Sequence, residues 1–134
     1  MSASKMVKDS ISIKASKERV WDIMTSPSYA RILGNEFDEN AFMVSDWRPG
    51  SPVHFIYEND KIAATGTITE LKKYERIYIE YKEFAYFESF TIKTEGTNVI
   101  FEFYGGPYQY DHEEQIEVWK KWLTKLKSLS EEGY

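Results

Sequence analysis

Between Val53 and Tyr104, apolar and polar residues alternate with a period of two, and short polar turns interrupt the alternation. Because successive side chains of a β-strand point to opposite sides, this pattern predicts strands with one buried and one solvated face. The predicted strands cover residues 53–57, 62–71, 77–82, 86–94 and 99–104. The links between them are short, so this segment predicts a meander of antiparallel hairpins.

The residues before this meander predict two more strands and two short helices. Residues 10–14 and 42–44 have the pattern of strands, which brings the expected number to about seven. Ser16 is placed to cap a first helix, and Pro27 suits the first turn of a second helix that ends at Gly34. The expected order is therefore one strand, two short helices and then the remaining strands.

Residues 111–129 predict a long amphipathic helix. Asp111 can cap this helix, with Glu114 three positions further on, and lysines gather toward its other end, as the helix dipole favours. Apolar residues recur at helical spacing on one side, namely Ile116, Trp119, Leu123 and Leu126. We expect this side of the helix to pack against the apolar face of the sheet.

The composition limits the class of protein. The chain has 134 residues, which fits one domain over residues 1–134, and it has no cysteine, so disulfides and thiolate metal sites are excluded. The net charge is −5 and the basic residues are scattered, which argues against nucleic-acid binding. No stretch resembles a signal peptide or a membrane span. We expect a soluble, cytoplasmic protein without membrane insertion.

Three stretches resemble motifs of the START-like (SRPBCC) superfamily. Residues 13–22, IKASKERVWD, are similar to its opening I-x-A-x-x-E-x-V-W. Residues 66–70 with residues 76–81 resemble its G-x-V-x-E and R-L-x-Y hairpin, and residues 119–127 resemble its closing W-x-x-x-L-x-x-L-K. Within the superfamily, the similarity is to the domain of the activator of the ninety-kilodalton heat-shock protein's ATPase.

The resemblance implies an α+β fold of the helix-grip type. In this fold a curved antiparallel sheet, here of about seven strands, wraps around the long C-terminal helix, and two short helices follow the first strand. Lipid carriers, hormone receptors, cyclases, hydrolases and co-chaperones share the fold, so the fold alone implies no particular ligand.

The resemblance also implies a cavity between the sheet and the long helix, and the alternation gives its candidate lining. The predicted ligand-binding residues are Phe55, Tyr57, Ile68, Ile79, Tyr81, Phe90, Ile92, Phe101 and Phe103 of the sheet, opposite Trp119, Leu123 and Leu126. For each of these residues, a place in a solid core is the alternative. The hydroxyls of Tyr57 and Tyr81 are expected to meet a ligand or water in the cavity, or solvent at the open end of the sheet.

Catalysis and metal binding have little support in the sequence. The two histidines, His54 and His112, are both predicted at the surface. No spacing pairs the candidate carboxylates, which are Asp46, Glu70, Glu80 and Glu102. Residues 104–107 predict a turn rather than a phosphate-binding loop. We therefore expect no catalytic residue, no metal site and no cofactor.

Several functions remain open on the sequence. The first is binding of a small apolar or lipid-like ligand in the cavity. The second is a co-chaperone-like role that uses the surface to bind a protein partner or a second copy of the chain, which only the resemblance suggests. A cyclase or hydrolase is a third alternative. Aromatic residues make up 16% of the chain. The direction of their rings discriminates between the first two functions, because inward rings favour a ligand and outward patches favour a partner.

Overall fold

A computed structural model describes residues 6–35, 41–57, 61–81, 85–107 and 112–132, and for residues 57 and 61–63 it describes the backbone alone. The elements in chain order are β1 (Val7–Ile13), α1 (Lys17–Thr25), α2 (Pro27–Gly34), β2 (Phe42–Ser45), β3 (Pro52–Tyr57), β4 (Lys61–Lys72), β5 (Arg76–Tyr81), β6 (Tyr86–Glu95), β7 (Asn98–Gly106) and α3 (His112–Glu131). This order confirms the α+β fold with two short helices after the first strand.

All seven strands form one antiparallel sheet in the order β1-β7-β6-β5-β4-β3-β2. The sheet is curled into a half-barrel, and α3 packs against its concave face. Register shifts between Phe55 and Ile56 in β3 and between Ile68 and Glu70 in β4 mark two irregularities. Since a bulge bends its strand and increases the local twist, these two positions help the sheet to curl around the helix.

The two short helices begin and end where the sequence predicts. The Ser16 hydroxyl accepts a hydrogen bond from the backbone amide of Arg19 at 3.1 Å, which caps α1. Ser26 caps α2 in turn, and Pro27 occupies its first turn, where a missing amide hydrogen costs nothing. Both helices therefore start at positions that local side-chain chemistry determines.

Helix α1 also fixes the end of α3. The Arg19 guanidinium donates hydrogen bonds to the carbonyl oxygens of Leu129 and Glu132, both at 3.1 Å, and to that of Ser130 at 3.3 Å. The last carbonyls of a helix lack partners within the helix and carry partial negative charge. The Arg19 side chain supplies both donors and positive charge, so it links the two ends of the chain.

The end of β7 and the start of α3 are two element ends that the structure does not confirm as predicted. Residues 104–107 are predicted as a turn after a strand over 99–104, but β7 continues to Gly106, because Gly105 pairs with Val7 of β1 and Gly106 pairs with Phe87 of β6. The turn expectation was wrong because pairing on both sides overrides the local tendency of two glycines. The predicted cap Asp111 lies outside the described residues.

Candidate functional site

The concave face of the sheet holds most of the predicted ligand-binding residues. Those that are buried there, together with their partners on α3, are Ile68, Ile79, Tyr81, Phe90, Ile92, Phe101, Phe103, Trp119 and Leu123. Phe55 is half-buried on the same face, and the side chain of Tyr57 lies outside the described part of the structure. The alternation in the sequence thus selects one face of the sheet correctly.

Aromatic contacts fill the space beneath the middle of α3. The Trp119 ring stacks on Phe103, with ring centroids 3.6 Å apart and planes 15° apart. Phe90 lies 5.4 Å from Phe103 and 5.5 Å from Trp122 between ring centroids. Trp119 and Trp122 meet edge to face at 5.5 Å. This part of the concave face is a packed aromatic core, with geometries that aromatic pairs prefer.

An apolar cavity of about 20 Å³ lies at one side of this core. Its lining comprises Met24, Ala30, Leu33, Gly34, Met43, Trp47, Phe55, Phe90 and Trp122. A single water needs about 10–15 Å³ of such space, so the cavity is about one small group in size. Of the predicted ligand-binding residues, Phe55 and Phe90 line it.

A groove of about 100 Å³ adjoins the cavity on the outside, between the α1–α2 corner and β2. Met24, Ala30, Met43 and Trp47 line both spaces. Methionine side chains are unbranched and adapt to irregular contacts. Met24 and Met43 therefore stand as adjustable groups between the groove and the core. Both volumes are below the hundreds of cubic ångströms expected of a ligand pocket. The larger cavity between the sheet and α3 that the resemblance implies therefore stays a prediction.

A buried carboxyl interrupts the apolar concave face. Glu88 of β6 is 6% exposed, and its Oε1 atom accepts a hydrogen bond of 2.9 Å from the Tyr81 hydroxyl of β5. Glu88 lies opposite Ile79 and Gly105 in the sheet register. The Tyr81 hydroxyl was expected to meet a ligand, water or solvent. In the structure its partner is Glu88, because the two residues are diagonal neighbours on the same face.

The surroundings of Glu88 change its acidity. Burial raises the pKa of its carboxyl to about 7, because the apolar surroundings penalise the carboxylate, and the hydrogen bond from Tyr81 opposes the rise. Tyr81 is held by its neighbours: its ring stacks on that of Tyr86 at 4.7 Å. A Cβ added at Gly66 would lie 2.9 Å from Tyr81 Cε1, so the glycine leaves room for this ring.

Sequence reasoning missed Glu88. The residue shares its face with Phe90 and Ile92 by the same period of two that identified the core. The signal was therefore present in the sequence, although the candidate carboxylates named from it did not include Glu88. An acidic residue at an inward position of a strand is itself a signal of a functional or paired group, since Glu is almost never fully buried without a partner.

The alternation in the sequence predicts that the second face of the sheet is solvated. In the structure this convex face carries a group of aromatic side chains. Tyr78 of β5, Phe87 of β6 and Tyr104 of β7 form this convex patch. The Tyr78 and Phe87 rings stack at 5.0 Å, and Phe87 meets Tyr104 edge to face at 5.5 Å. Tyr104 remains 38% exposed. Some of the surplus aromatic surface therefore points outward, away from α3.

The remaining candidate groups have local roles. His54 is hydrogen-bonded to Thr65 Oγ1 at 3.0 Å, and His112 Nε2 lies 2.9 Å from the carbonyl oxygen of Met6. Across the described ranges, no three His, Asp or Glu side chains are grouped as metal ligands. Over the same ranges, no helix has both the length and the apolar character that crossing a membrane requires.

Solved structures with the same fold cover almost the whole chain. The Aha1 dimer from Colwellia psychrerythraea is 18% identical, with a TM-score of 0.75, and the match covers 96% of this chain and 97% of that chain. A Cytophaga hutchinsonii protein is 17% identical, with a TM-score of 0.74 and coverage of 96% and 94%. A Chromobacterium violaceum protein is 19% identical, with a TM-score of 0.73 and coverage of 96% and 99%. No curated protein has a matching sequence.

These structural similarities show the fold alone, because sequence identity is low. The family follows from a different comparison. The family model described as Activator of Hsp90 ATPase homolog 1-like protein matches residues 14–131, which includes both short helices, all strands after β1 and α3. The START-like resemblance in the sequence is thereby confirmed, and the chain belongs to the Activator of Hsp90 ATPase homolog 1-like family.

Proposed function

We propose that this protein binds a small, largely apolar molecule between the concave face of the sheet and α3. The observation that carries the proposal is the apolar cavity beside Phe90 and Trp122, which adjoins an outer groove through Met24 and Met43. Ligand sites are concave and mostly apolar, with a few polar groups that orient the ligand. The buried Glu88 and Tyr81 hydroxyl supply such groups on the same face.

The cavity is small as it stands, so a ligand enters by displacing side chains at its outer wall. Met24 and Met43 have the flexible side chains for this movement. The groove between α2 and β2 offers the path, since its lining is shared with the cavity. The aromatic core around Trp119 and Phe103 stays packed, because the two rings stack with their centroids 3.6 Å apart.

A substitution that fills the entrance tests this proposal. Ala30 lines both spaces, so Ala30→Phe places a ring where the ligand would pass. We expect the wild type to bind the neutral dye N-phenyl-1-naphthylamine at one saturable site, with a rise in melting temperature as the dye concentration increases. Ala30→Phe should weaken binding at least tenfold. The measurement is a fluorescence titration with parallel thermal unfolding.

The matched control is Ser28→Phe on the same helix. Ser28 is exposed and lines neither space, so this variant adds the same ring without blocking the entrance. It should bind the dye like the wild type. Equal dye binding by the wild type and both variants would contradict the proposed site, and so would a native protein that binds no dye.

A protein-interaction role is the second candidate function, and the convex patch favours it. Outward aromatic clusters are typical of interaction surfaces, and Tyr104 is exposed within this one. A similar structure, that of Colwellia psychrerythraea Aha1, is a dimer. We infer that the partner for this patch is a second copy of the chain.

Sedimentation over a range of protein concentrations tests the second candidate. We expect the wild type to self-associate with increasing concentration, and we expect Tyr104→Lys to remain monomeric, because a charge at the centre of an apolar contact must be desolvated. Lys93→Tyr, an exposed site on the neighbouring strand β6, serves as a control for surface changes. A wild type that stays monomeric at all concentrations would exclude self-association through this patch.

A further inference from the structure

Among the described residues, no basic side chain pairs with the buried Glu88 carboxyl on the concave face. Within the described part of the chain, the salt bridges are Arg76 with Glu70 and Lys127 with Glu131, and neither involves Glu88. The one hydrogen-bond partner of Glu88 over these residues is the Tyr81 hydroxyl. A buried acid without a cation is costly when ionised, and structures retain such groups mainly at functional sites.

The charged and titratable groups that the structure describes on the surrounding elements do not supply a cation for Glu88. On β7 the opposite residue is Gly105, and on β1 the concave side carries Val7 and Asp9. The first turn of α3 contains His112, whose Nε2 lies 2.9 Å from the Met6 carbonyl oxygen, and the acidic Glu113 and Glu114. Burial and the Tyr81 hydrogen bond are the causes that set the acidity of Glu88, with no charged neighbour among them.

Aromatic rings border the same carboxyl. Tyr81 donates to Glu88 and stacks on Tyr86 at 4.7 Å with planes 10° apart. Because the two rings cover each other's faces, the Glu88 carboxylate supplies the charge pairing for a cation, and the rings supply an apolar border. Along β6, Phe90 follows Glu88 by two residues on the same face and lines the apolar cavity. The Cα atoms of Glu88 and of Phe90, which lines the cavity, are thus roughly 7 Å apart along one strand.

Building on the proposed function, we propose that the ligand is an amphipathic amine, whose protonated nitrogen pairs with the Glu88 carboxyl beside Tyr81 while its apolar part lies against Phe90 toward the cavity. An ammonium group neutralises the carboxylate and donates hydrogen bonds to it. A ligand carboxylate would instead face a like charge, and a neutral alcohol would supply a hydrogen bond without charge pairing. The order of affinity is therefore amine, then alcohol, then carboxylate.

A matched series of eight-carbon ligands tests the inference. Titration calorimetry with octylamine, octanol and octanoate compares three head groups on one apolar chain. For the wild type at pH 8, octylamine should bind at least tenfold tighter than octanol, and octanoate should bind most weakly. In Glu88→Gln, which keeps an acceptor for Tyr81, octylamine should lose this advantage while octanol binds as before.

Proton release gives an independent measure of the same contact. Near pH 6 the Glu88 carboxyl is mostly protonated before binding, so pairing with an ammonium should release close to one proton. Release should fall toward zero at pH 8. Calorimetry in two buffers that differ in ionisation enthalpy measures the number of protons released.

The control is Glu102→Gln, which removes a carboxyl from the opposite face of the sheet. It should preserve both the preference for octylamine and the proton release. Equal affinities of octylamine and octanol for the wild type would overturn the inference and leave the proposed function intact. A loss of the preference in Glu102→Gln as well would also overturn it. If none of the ligands binds the native wild type, the proposed function fails, and the inference fails with it.

Discussion

Replacing Trp119 by Ala should lower the free energy of unfolding by about 3–5 kcal/mol, the range for truncating a large buried aromatic side chain. Trp119 is 1% exposed. Its ring stacks on Phe103 and lies 6.0 Å from Phe90 between centroids, so it joins α3 to two strands of the sheet. This loss has two parts. The variant lacks the free energy gained by burying the indole, and it contains a cavity beneath the helix.

Urea unfolding monitored by circular dichroism measures this loss. Glu117→Ala, an exposed position on the same helix, is the control and should change stability by less than about 0.5 kcal/mol, as most surface substitutions do. A loss below about 1 kcal/mol for Trp119→Ala would mean that α3 does not grip the sheet through this residue.

Replacing Glu88 by Gln should increase stability at neutral and alkaline pH. The folded-state pKa of Glu88 is about 7, above the ordinary value of 4.5. The folded protein therefore holds a proton that the unfolded chain releases. The stability that this protonated carboxyl contributes is complete below pH 4.5 and is lost as the pH rises through 7. At about 1.4 kcal/mol per pKa unit, the wild type loses roughly 3 kcal/mol over this window.

The prediction is tested by how the difference in free energy of unfolding between Glu88→Gln and the wild type changes with pH. A buried amide hydrogen without a partner costs some stability in Glu88→Gln, but at every pH alike. The free energy of unfolding of the variant, relative to the wild type, should therefore rise by about 3 kcal/mol between pH 4 and pH 8. Glu102→Gln gives the part that follows from net charge alone. A relative stability of Glu88→Gln that is flat with pH would show that the carboxyl is solvated.

These two substitutions also separate structure from function. Trp119 stabilises the fold, so its loss is a structural effect. Glu88, in contrast, is expected to lower stability at neutral pH, because its carboxyl is buried and its pKa is raised. Natural proteins accept such costs at binding and catalytic sites. The increase in stability expected on replacing Glu88 is thus the cost of keeping a carboxyl at the site proposed for the amine.

The fold could be predicted from the sequence because its patterns are local and consistent. The period of two placed Val53, Ile79 and Phe103 on one face, and helical spacing placed Trp119 and Leu126 on one side of α3. The end of β7 could not be predicted in this way. Gly105 and Gly106 resemble a turn locally, and their strand partners come from distant parts of the chain.

The site was less predictable for two physical reasons. Cavity volume depends on how side chains interdigitate, and the stacking of Phe103 on Trp119 is a tertiary contact that no periodicity contains. The partner of the Tyr81 hydroxyl depends on a diagonal register between β5 and β6. Alternation alone could have placed Glu88 on the inner face, but only the register brings its carboxyl to Tyr81.

The central claim is that a small apolar molecule binds between the concave face and α3. Isotope-filtered NMR tests it most directly, with unlabelled octanol and protein labelled with ¹³C at methyl groups. We predict intermolecular NOEs from the bound alcohol to the methyl groups of Met24, Leu33 and Met43, which line the cavity. NOEs confined to convex-face methyl groups, such as those of Thr67 and Thr91, or no bound octanol at saturating concentration, would contradict the account.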